Sequence, residues 1–408
     1  MTEHILVVGA SHAGVQLAGA LRSKGHPGTI TLVGAEPHIP YHRPPLSKAY
    51  LAGEASPESL SLRSESFFAS RDITLVLGER VEHMDLESGK ARTSSGAVLA
   101  FDRIALATGA RVRRLKVPGQ DLSGIVYLRD LDDADRMARL MLPARRAVVV
   151  GGGFIGLEAA AVLRDRGIEV TVIEAGDRLM ARSVSREMSE FYARVHRGRD
   201  TDVRLGVGVV GFEGECQVSG VVLDDGTTIP ADLVVVGIGV EPRTELAEQL
   251  GLKVDGGIVV DESARTSDPR VVAIGDVTAL PHPLEKSTTI RLESVQNAAD
   301  QAAVAASTLL GEPVRYDAVP WFWSDQFDLK LQMAGAESSY DEVAVRGSME
   351  GGKFTILCYR DGRMVAGECV NAGADLIAVR RALAAGTTFP ADLAVDDSVK
   401  LKTLLQQG

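Results

Sequence analysis

The sequence predicts an α/β chain with two separate parallel-sheet units and a small α+β C-terminal domain, on three observations. A run of strand, glycine turn, helix and strand occurs twice, over residues 5–36 and 147–174. Two further apolar runs end in small-residue turns, at Thr108-Gly109 and at Gly275-Asp276. Beyond residue 320 the pattern changes to two-residue alternation, followed by an Ala-rich helix. A length of 408 residues suits two or three domains rather than one.

The first copy opens with the apolar run Ile5-Leu6-Val7-Val8, which meets Gly9-Ala10-Ser11-His12-Ala13-Gly14 and then a helical pattern through Leu17, Ala20 and Leu21. A second apolar run, Ile30 to Val33, ends at Gly34-Ala35-Glu36. This is the opening of a Rossmann-type dinucleotide-binding unit. Gly9 permits the tight turn, and Gly14 lets helix and strand pack closely. The N–H groups at the helix start then face a pyrophosphate, aided by the helix dipole. Ser11 stands where the middle glycine is usual, and its hydroxyl can donate a hydrogen bond. Ala35 holds the usual place of the ribose-binding carboxylate, with Glu36 next to it. Taken alone, His12 reads as a helix-start residue rather than a base.

The second copy fills every glycine position. Ala147 to Val150 leads into Gly151-Gly152-Gly153-Phe154-Ile155-Gly156, then a helix from Leu157, then Val170 to Ile173 and Glu174. Glu174 lies 23 residues beyond Gly151, close to the spacing at which a carboxylate accepts both ribose hydroxyls. A carboxylate there repels a 2′-phosphate, so NADH is expected over NADPH, with Arg178 moderating the preference.

Two later segments fit the same plan. Asp102 to Ala110 reads as a buried strand ending in a small-residue turn, and Val271 to Val277 as a strand ending in Gly275-Asp276. Ala231 to Gly239 reads as a return strand. With these motifs, in order and spread over some 270 residues, the chain resembles the flavoprotein group that contains glutathione reductase, NADH peroxidase and the ferredoxin reductases. The resemblance implies a glutathione-reductase-like fold. A discontinuous FAD domain spans 1–111 and 245–319, an NAD domain spans 112–244, and an α+β C-terminal domain spans 320–408. It also implies that Asp276 binds a ribitol hydroxyl of FAD. Within the last domain, strands are expected at Glu342–Arg346 and Phe354–Tyr359 and a helix at Leu376–Ala385.

Members that relay electrons through thiols carry cysteine beside the flavin. The matching stretch here, Ile39 to Lys48, has none, and Cys216, Cys358 and Cys369 are far apart. Thiol relay is excluded, so electrons must leave the flavin directly. Arg43-Pro44-Pro45-Leu46-Ser47-Lys48, the stretch Arg291 to Ala298, and Pro320-Trp321-Phe322-Trp323-Ser324-Asp325-Gln326 resemble the oxygenase-coupled ferredoxin reductases. That likeness runs from about Leu6 to the end of the chain.

The candidate catalytic residues follow from it. Pro44 and Pro45 stiffen a loop, from which Lys48 projects toward the flavin and stabilises its electron-rich reduced form by charge. As an isolated residue Lys48 reads as a solvated lysine, and Glu158 as a helix-face carboxylate. The resemblance pairs the two. Trp321 and Trp323, alternating on a strand, read as core by themselves; the resemblance sets them beside the flavin. The candidate FAD residues are Gly9, Ser11, His12, Ala13, Gly14, Ala35, Glu36, Arg43, Pro44, Lys48, Val81, Ala107, Thr108, Gly109, Arg129, Gly275, Asp276, Ser294, Val295, Trp321 and Trp323. For NAD they are Gly151, Gly153, Phe154, Ile155, Gly156, Glu158, Glu174, Arg182, Gly237, Ile238 and Gly239. Hydride transfer between nicotinamide and flavin needs no general base, so no catalytic histidine is assigned.

Composition narrows the partners. Hydrophobic residues make up 45% and charged residues 24%, as in a globular enzyme, and 42 glycines against 5% aromatics point to tight turns and close ligand approach. A net charge of −11 without a long basic run suits neither nucleic acid nor an anionic membrane. No apolar stretch is long enough to span a bilayer, and the N-terminus runs directly into a strand-like segment, which argues against a signal peptide. Three scattered cysteines offer neither a disulfide framework nor a metal site, and a cytoplasmic location is expected. The resemblance implies transfer from NADH through FAD to a small acidic 2Fe-2S ferredoxin. That ferredoxin would feed a haem-thiolate monooxygenase or a Rieske-type dioxygenase. The alternatives are a rubredoxin reductase, an NADH oxidase-like diaphorase, or a non-enzymatic NADH-responsive redox sensor. Docking candidates on this acidic chain are Arg380, Arg381, Lys400 and Lys402.

Overall fold

The computed structural model describes residues 3–285, 288–335 and 339–405. The chain forms two compact units. One takes Met1–His42, Pro57–Arg111 and Glu241–Pro320, and the other takes Arg43–Ser56, Val112–Val240 and Trp321–Gly408.

The first unit is built on a five-stranded parallel sheet in the order Val271–Ala273, Arg103–Leu106, Ile5–Val8, Ile30–Gly34, Ile73–Leu77. Ile5 stands opposite both Ile30 and Arg103, so Ile5–Val8 is the central strand. All four of its residues are buried. A strand covered on both faces needs a continuous apolar run rather than an alternating one, and Ile-Leu-Val-Val supplies it. The helices His12–Ser23 and Val295–Leu309 pack against one another. Small buried residues such as Ala18, Ala302 and Ala305 let them approach closely. The strand expected over residues 102–110 is confined to Arg103–Leu106, because a turn of small residues begins at Ala107.

The second unit holds another five-stranded parallel sheet, in the order Thr201–Leu205, Glu169–Glu174, Arg146–Val150, Leu233–Val236, Ile125–Tyr127. Helices Phe154–Asp165 and Arg186–Gly198 accompany it. The same unit contains an antiparallel five-stranded sheet, Trp321–Gln326, Leu329–Ala334, Arg363–Val370, Lys353–Arg360, Glu342–Ser348, with the helix Gly373–Ala385. One core joins the two sheets. Val149, Leu163 and Phe191 share it with Leu331, Phe354 and Ile356, and the rings of Phe191 and Phe354 are 4.7 Å apart. Leu51, from the loop that begins at Arg43, lies in this core as well.

The last long helix begins at Gly373 rather than Leu376, because Gly373, Ala374 and Asp375 extend it without adding apolar periodicity. It ends where Gly386 takes the left-handed conformation at φ 65°. Among the described residues no helix is long and apolar enough to cross a membrane.

Candidate functional site

The two glycine turns are shaped by backbone contacts that exclude side chains. At Gly9 φ is +116°, and an added Cβ would stand 2.1 Å from the carbonyl oxygen of Ala107. At Gly14 it would stand 1.9 Å from the Gly9 carbonyl oxygen. Gly151 and Gly156 repeat the arrangement, with an added Cβ 2.4 Å from the Gly237 oxygen and 2.3 Å from the Gly151 oxygen respectively. Gly153 differs, because a Cβ there would meet nothing within 4 Å. The middle glycine thus faces open space at the start of a helix that no side chain caps. Such a helix end, with donors and the positive end of its dipole outward, fits a pyrophosphate. Ser11 occupies the matching position before His12–Ser23 and likewise makes no capping bond. Both turns therefore fit the pyrophosphate of a dinucleotide.

Around the first turn, His12 and Ala13 are buried at the helix start, and His12 Nε2 lies 3.4 Å from His42 Nδ1. Ala35 is exposed, while the Glu36 carboxylate accepts a short hydrogen bond from the Tyr41 hydroxyl. Val81 is buried in a small antiparallel sheet. Ala107 is buried, the Thr108 hydroxyl donates to the Arg243 carbonyl at 2.8 Å, and Gly109 turns the chain at φ 64°. Gly275 opens the turn that carries half-buried Asp276, and its N–H donates 2.7 Å to Gln301. Ser294 caps the following helix by accepting from the Asn297 N–H at 3.0 Å, and Val295 is that helix's first residue.

At the second turn Glu174 is held by two backbone donors, Gly152 N–H and Gly176 N–H, both at 2.7 Å. Both carboxylate oxygens are thereby fixed at the strand end, with lone pairs remaining for ribose hydroxyls. The Arg178 guanidinium donates to the carbonyls of Ala181, Val184 and Ser185, which tie it to the segment after Glu174. Exposed Arg182 instead comes near Gly239, where an added Cβ would lie 3.3 Å from its Nη2. The strand expected to run to Gly239 ends at Val236. Gly237 and Gly239 form the turn beyond it with Ile238, and Gly237 N–H donates to Val150 at 2.8 Å. Phe154 packs its ring 4.8 Å from Phe322, and Ile155 is exposed.

Within the second unit, Pro44–Ser47 forms a single tight turn that presents Lys48. Lys48 Nζ donates to Glu158 Oε2 at 2.7 Å and to the Pro44 carbonyl at 3.2 Å. Glu158, on the inward face of its helix, is only 3% exposed. Burial pushes its carboxyl above the ordinary range, and the Lys48 ammonium opposes that push. Two serines complete the coordination. Ser47 donates to Oε2 at 2.5 Å, and Ser324 donates to Oε1 at 2.6 Å. Neither serine was a candidate in the sequence. One signal was present for Ser324: period-two alternation sets Phe322, Ser324 and Gln326 on one face of Trp321–Gln326, and buried polar groups on such a face require partners.

Other candidates take their places nearby. Arg43 donates to the carbonyl of Arg129 at 2.9 Å, and Arg129 N–H donates to Asp133 at 3.0 Å. Trp321 and Trp323 are half-buried and stacked, 5.5 Å between rings, with the Arg380 guanidinium 5.0 Å from the Trp321 ring. They form an indole pair on a strand edge and not a buried core. Arg381, Lys400 and Lys402 are exposed. Cys216 is exposed, whereas Cys358 and Cys369 are buried and unpaired with each other. Among the described residues no group of three or more His, Cys, Asp or Glu side chains is placed to hold a metal.

Known proteins match the chain over nearly its whole length. The family model for pyridine nucleotide-disulphide oxidoreductases matches residues 3–302, and a reductase C-terminal model matches 321–405. Rhodocoxin reductase of Rhodococcus erythropolis is 45% identical over 399 residues, spanning 98% of this chain and 93% of its own length. A solved ferredoxin reductase from Rhodopseudomonas palustris matches with a TM-score of 0.95 at 42% identity, covering 98% of this chain and 99% of that one. The structure of a covalent putidaredoxin reductase–putidaredoxin complex matches with a TM-score of 0.96 at 39% identity, covering 99% and 98%. The chain therefore belongs to the pyridine nucleotide-disulphide oxidoreductases, flavoproteins that use FAD and NAD(P)H, within the group that contains the ferredoxin reductases.

Proposed function

We propose that this chain is a cytoplasmic NADH:ferredoxin oxidoreductase. It passes electrons to a small acidic 2Fe-2S ferredoxin that feeds a haem-thiolate monooxygenase or a Rieske-type dioxygenase. The observation that carries this reading is the pairing of half-buried Lys48 with buried Glu158, where the lysine ends a stretch in which thiol-relay flavoproteins keep cysteine. With no thiol there, electrons leave the flavin directly, and a one-electron carrier is the fitting acceptor. The likeness to rhodocoxin reductase and to a reductase solved with its putidaredoxin supports a ferredoxin as that carrier.

Bound FAD would supply the step between carriers, converting one hydride from NADH into two single electrons and a proton given up to solvent. The residues around Gly9, Thr108 and Asp276 hold that cofactor in a domain formed by 1–111 and 245–319. The residues around Gly151, Glu174 and Gly237 hold the nicotinamide cofactor in 112–244, and 320–408 forms the third domain. Glu174 accepts the ribose hydroxyls and disfavours a 2′-phosphate. Lys48 lends positive charge to the flavin, and Glu158 fixes where that ammonium stands. Trp321 and Trp323 exclude water from the ring.

Steady-state cytochrome c reduction by NADH, with and without an added 2Fe-2S ferredoxin, tests this function. Turnover should depend strongly on the ferredoxin. Equal rates in its absence would make the chain a diaphorase, and a slow, long-lived NADH complex would make it a sensor.

A further inference from the structure

Behind Glu158 lies a line of buried polar groups that the reading above leaves without a role. Ser324 Oγ donates to Glu158 Oε1 and accepts from Gln326 Nε2 at 3.2 Å. The Gln326 carbonyl oxygen lies 3.0 Å from His196 Nε2. Ser324, Gln326 and His196 are each 0% exposed. The chemistry of each group gives the line a direction. Ser324 has one proton and spends it on a carboxylate, so its oxygen can only accept from Gln326. Gln326 therefore turns its amide N–H groups toward Ser324 and its oxygen toward His196. His196 must then donate from Nε2, which leaves Nδ1 as the bare nitrogen. That nitrogen has no partner among the described residues, and burial favours the neutral imidazole, lowering its proton affinity.

Every donor thus points toward Glu158. In a low-dielectric interior successive donors polarise one another and strengthen the last bond, the one on the carboxylate. The line also crosses elements. His196 sits on Arg186–Gly198, Gln326 and Ser324 on Trp321–Gln326, and Glu158 on Phe154–Asp165. The charged and titratable groups near Glu158 are the Lys48 ammonium and the Tyr192 phenol, and Asp325, next to Ser324 on its strand, acts on that phenol.

We propose that Ser324, backed by Gln326 and His196, is a positioning residue for the Lys48–Glu158 pair. Its hydroxyl holds one oxygen of Glu158 as an acceptor, so that the other stays available to Lys48 and the ammonium keeps a single place. The inference rests on the function proposed above, in which Lys48 serves the flavin, and it assigns to the C-terminal sheet a part in setting that charge.

Infrared difference spectroscopy of the flavin-loaded protein tests it by following the Glu158 carboxyl band against pH, with Glu158→Gln identifying the band. Ser324→Ala removes one hydrogen bond to a charged acceptor. It should raise the proton affinity of Glu158 by about tenfold, moving the deprotonation midpoint upward. Ser324→Thr, which restores a hydroxyl, should return the midpoint toward wild type, and Gln326→Met should move it in the Ala direction by less. A folded Ser324→Ala protein with an unshifted midpoint overturns the proposal. Should Ser324→Ala fail to fold, Gln326→Met decides: an upward shift supports the line of donors, and none refutes it. The measurement does not depend on electron transfer. A shifted midpoint together with unchanged hydride transfer in Lys48→Ala would sink the flavin role of Lys48 and leave this inference standing.

Discussion

Glu368 is a buried carboxylate that forms no ion pair among the described residues, and its removal should change how the protein responds to pH. Its side chain lies on the strand Arg363–Val370 and is 4% exposed. Its oxygens accept from the Ser185 N–H and the Ser185 hydroxyl, both at 2.6 Å, where Ser185 caps the helix Arg186–Gly198. Burial raises its carboxyl from 4.5 to about 7, the two Ser185 bonds oppose this, Glu187 adds repulsion and Arg178 gives some relief. A carboxyl that binds its proton more tightly when folded adds stability that is complete below pH 4.5 and disappears as the pH rises through about 7. The full difference is worth about 3 kcal/mol.

Glu368→Gln cannot ionise and escapes that loss, while its amide fits Ser185 less well and costs about 1 kcal/mol at every pH. The variant should therefore be slightly less stable than wild type at about pH 5 and more stable by about 2 kcal/mol at about pH 8. Urea unfolding followed by tryptophan fluorescence measures this directly, since both tryptophans lie in the same compact unit as Glu368. If the difference between the two proteins is the same at both pH values, Glu368 does not titrate near neutrality and the reasoning fails.

Glu174→Ala should raise the KM for NADH and reduce discrimination against NADPH by on the order of tenfold; unchanged preference in the kcat/KM ratio would place the ribose contact elsewhere. Reversing Arg380, Arg381, Lys400 and Lys402 to Glu should slow ferredoxin-dependent turnover about tenfold at low salt, with ferricyanide reduction by NADH retained. Loss of both activities would mean that these side chains support the fold. Of the three cysteines, only Cys216 is exposed, and burial raises the thiols of Cys358 and Cys369. Ellman's reagent should therefore label one thiol in the native protein and all three in denaturant.

The parallel sheets were legible in the sequence because a strand buried on both faces is written as an unbroken apolar run, as in Ile5–Val8 and Arg146–Val150. The glycine turns were legible because no other residue survives a Cβ 2.1 Å from a carbonyl oxygen. Lys48 and Glu158 were named through resemblance alone, since residues 110 positions apart carry no local sign of pairing. Ser47, Ser324, Gln326 and His196 escaped notice for a related reason. Each is an ordinary polar residue whose role comes from burial, and burial is fixed by how distant strands and helices pack. The bonds from Arg178 to the carbonyls of Ala181, Val184 and Ser185 were not legible either, since backbone acceptors carry no mark in the sequence.

The most direct test of the central claim is an anaerobic single turnover. One equivalent of NADH mixed with the flavin-loaded protein should bleach the flavin absorbance, and two equivalents of oxidised 2Fe-2S ferredoxin should then restore it, because one hydride carries two electrons and each cluster accepts one. Flavin that stays bleached in the presence of ferredoxin, and recovers only when oxygen is admitted, would contradict electron transfer to a ferredoxin.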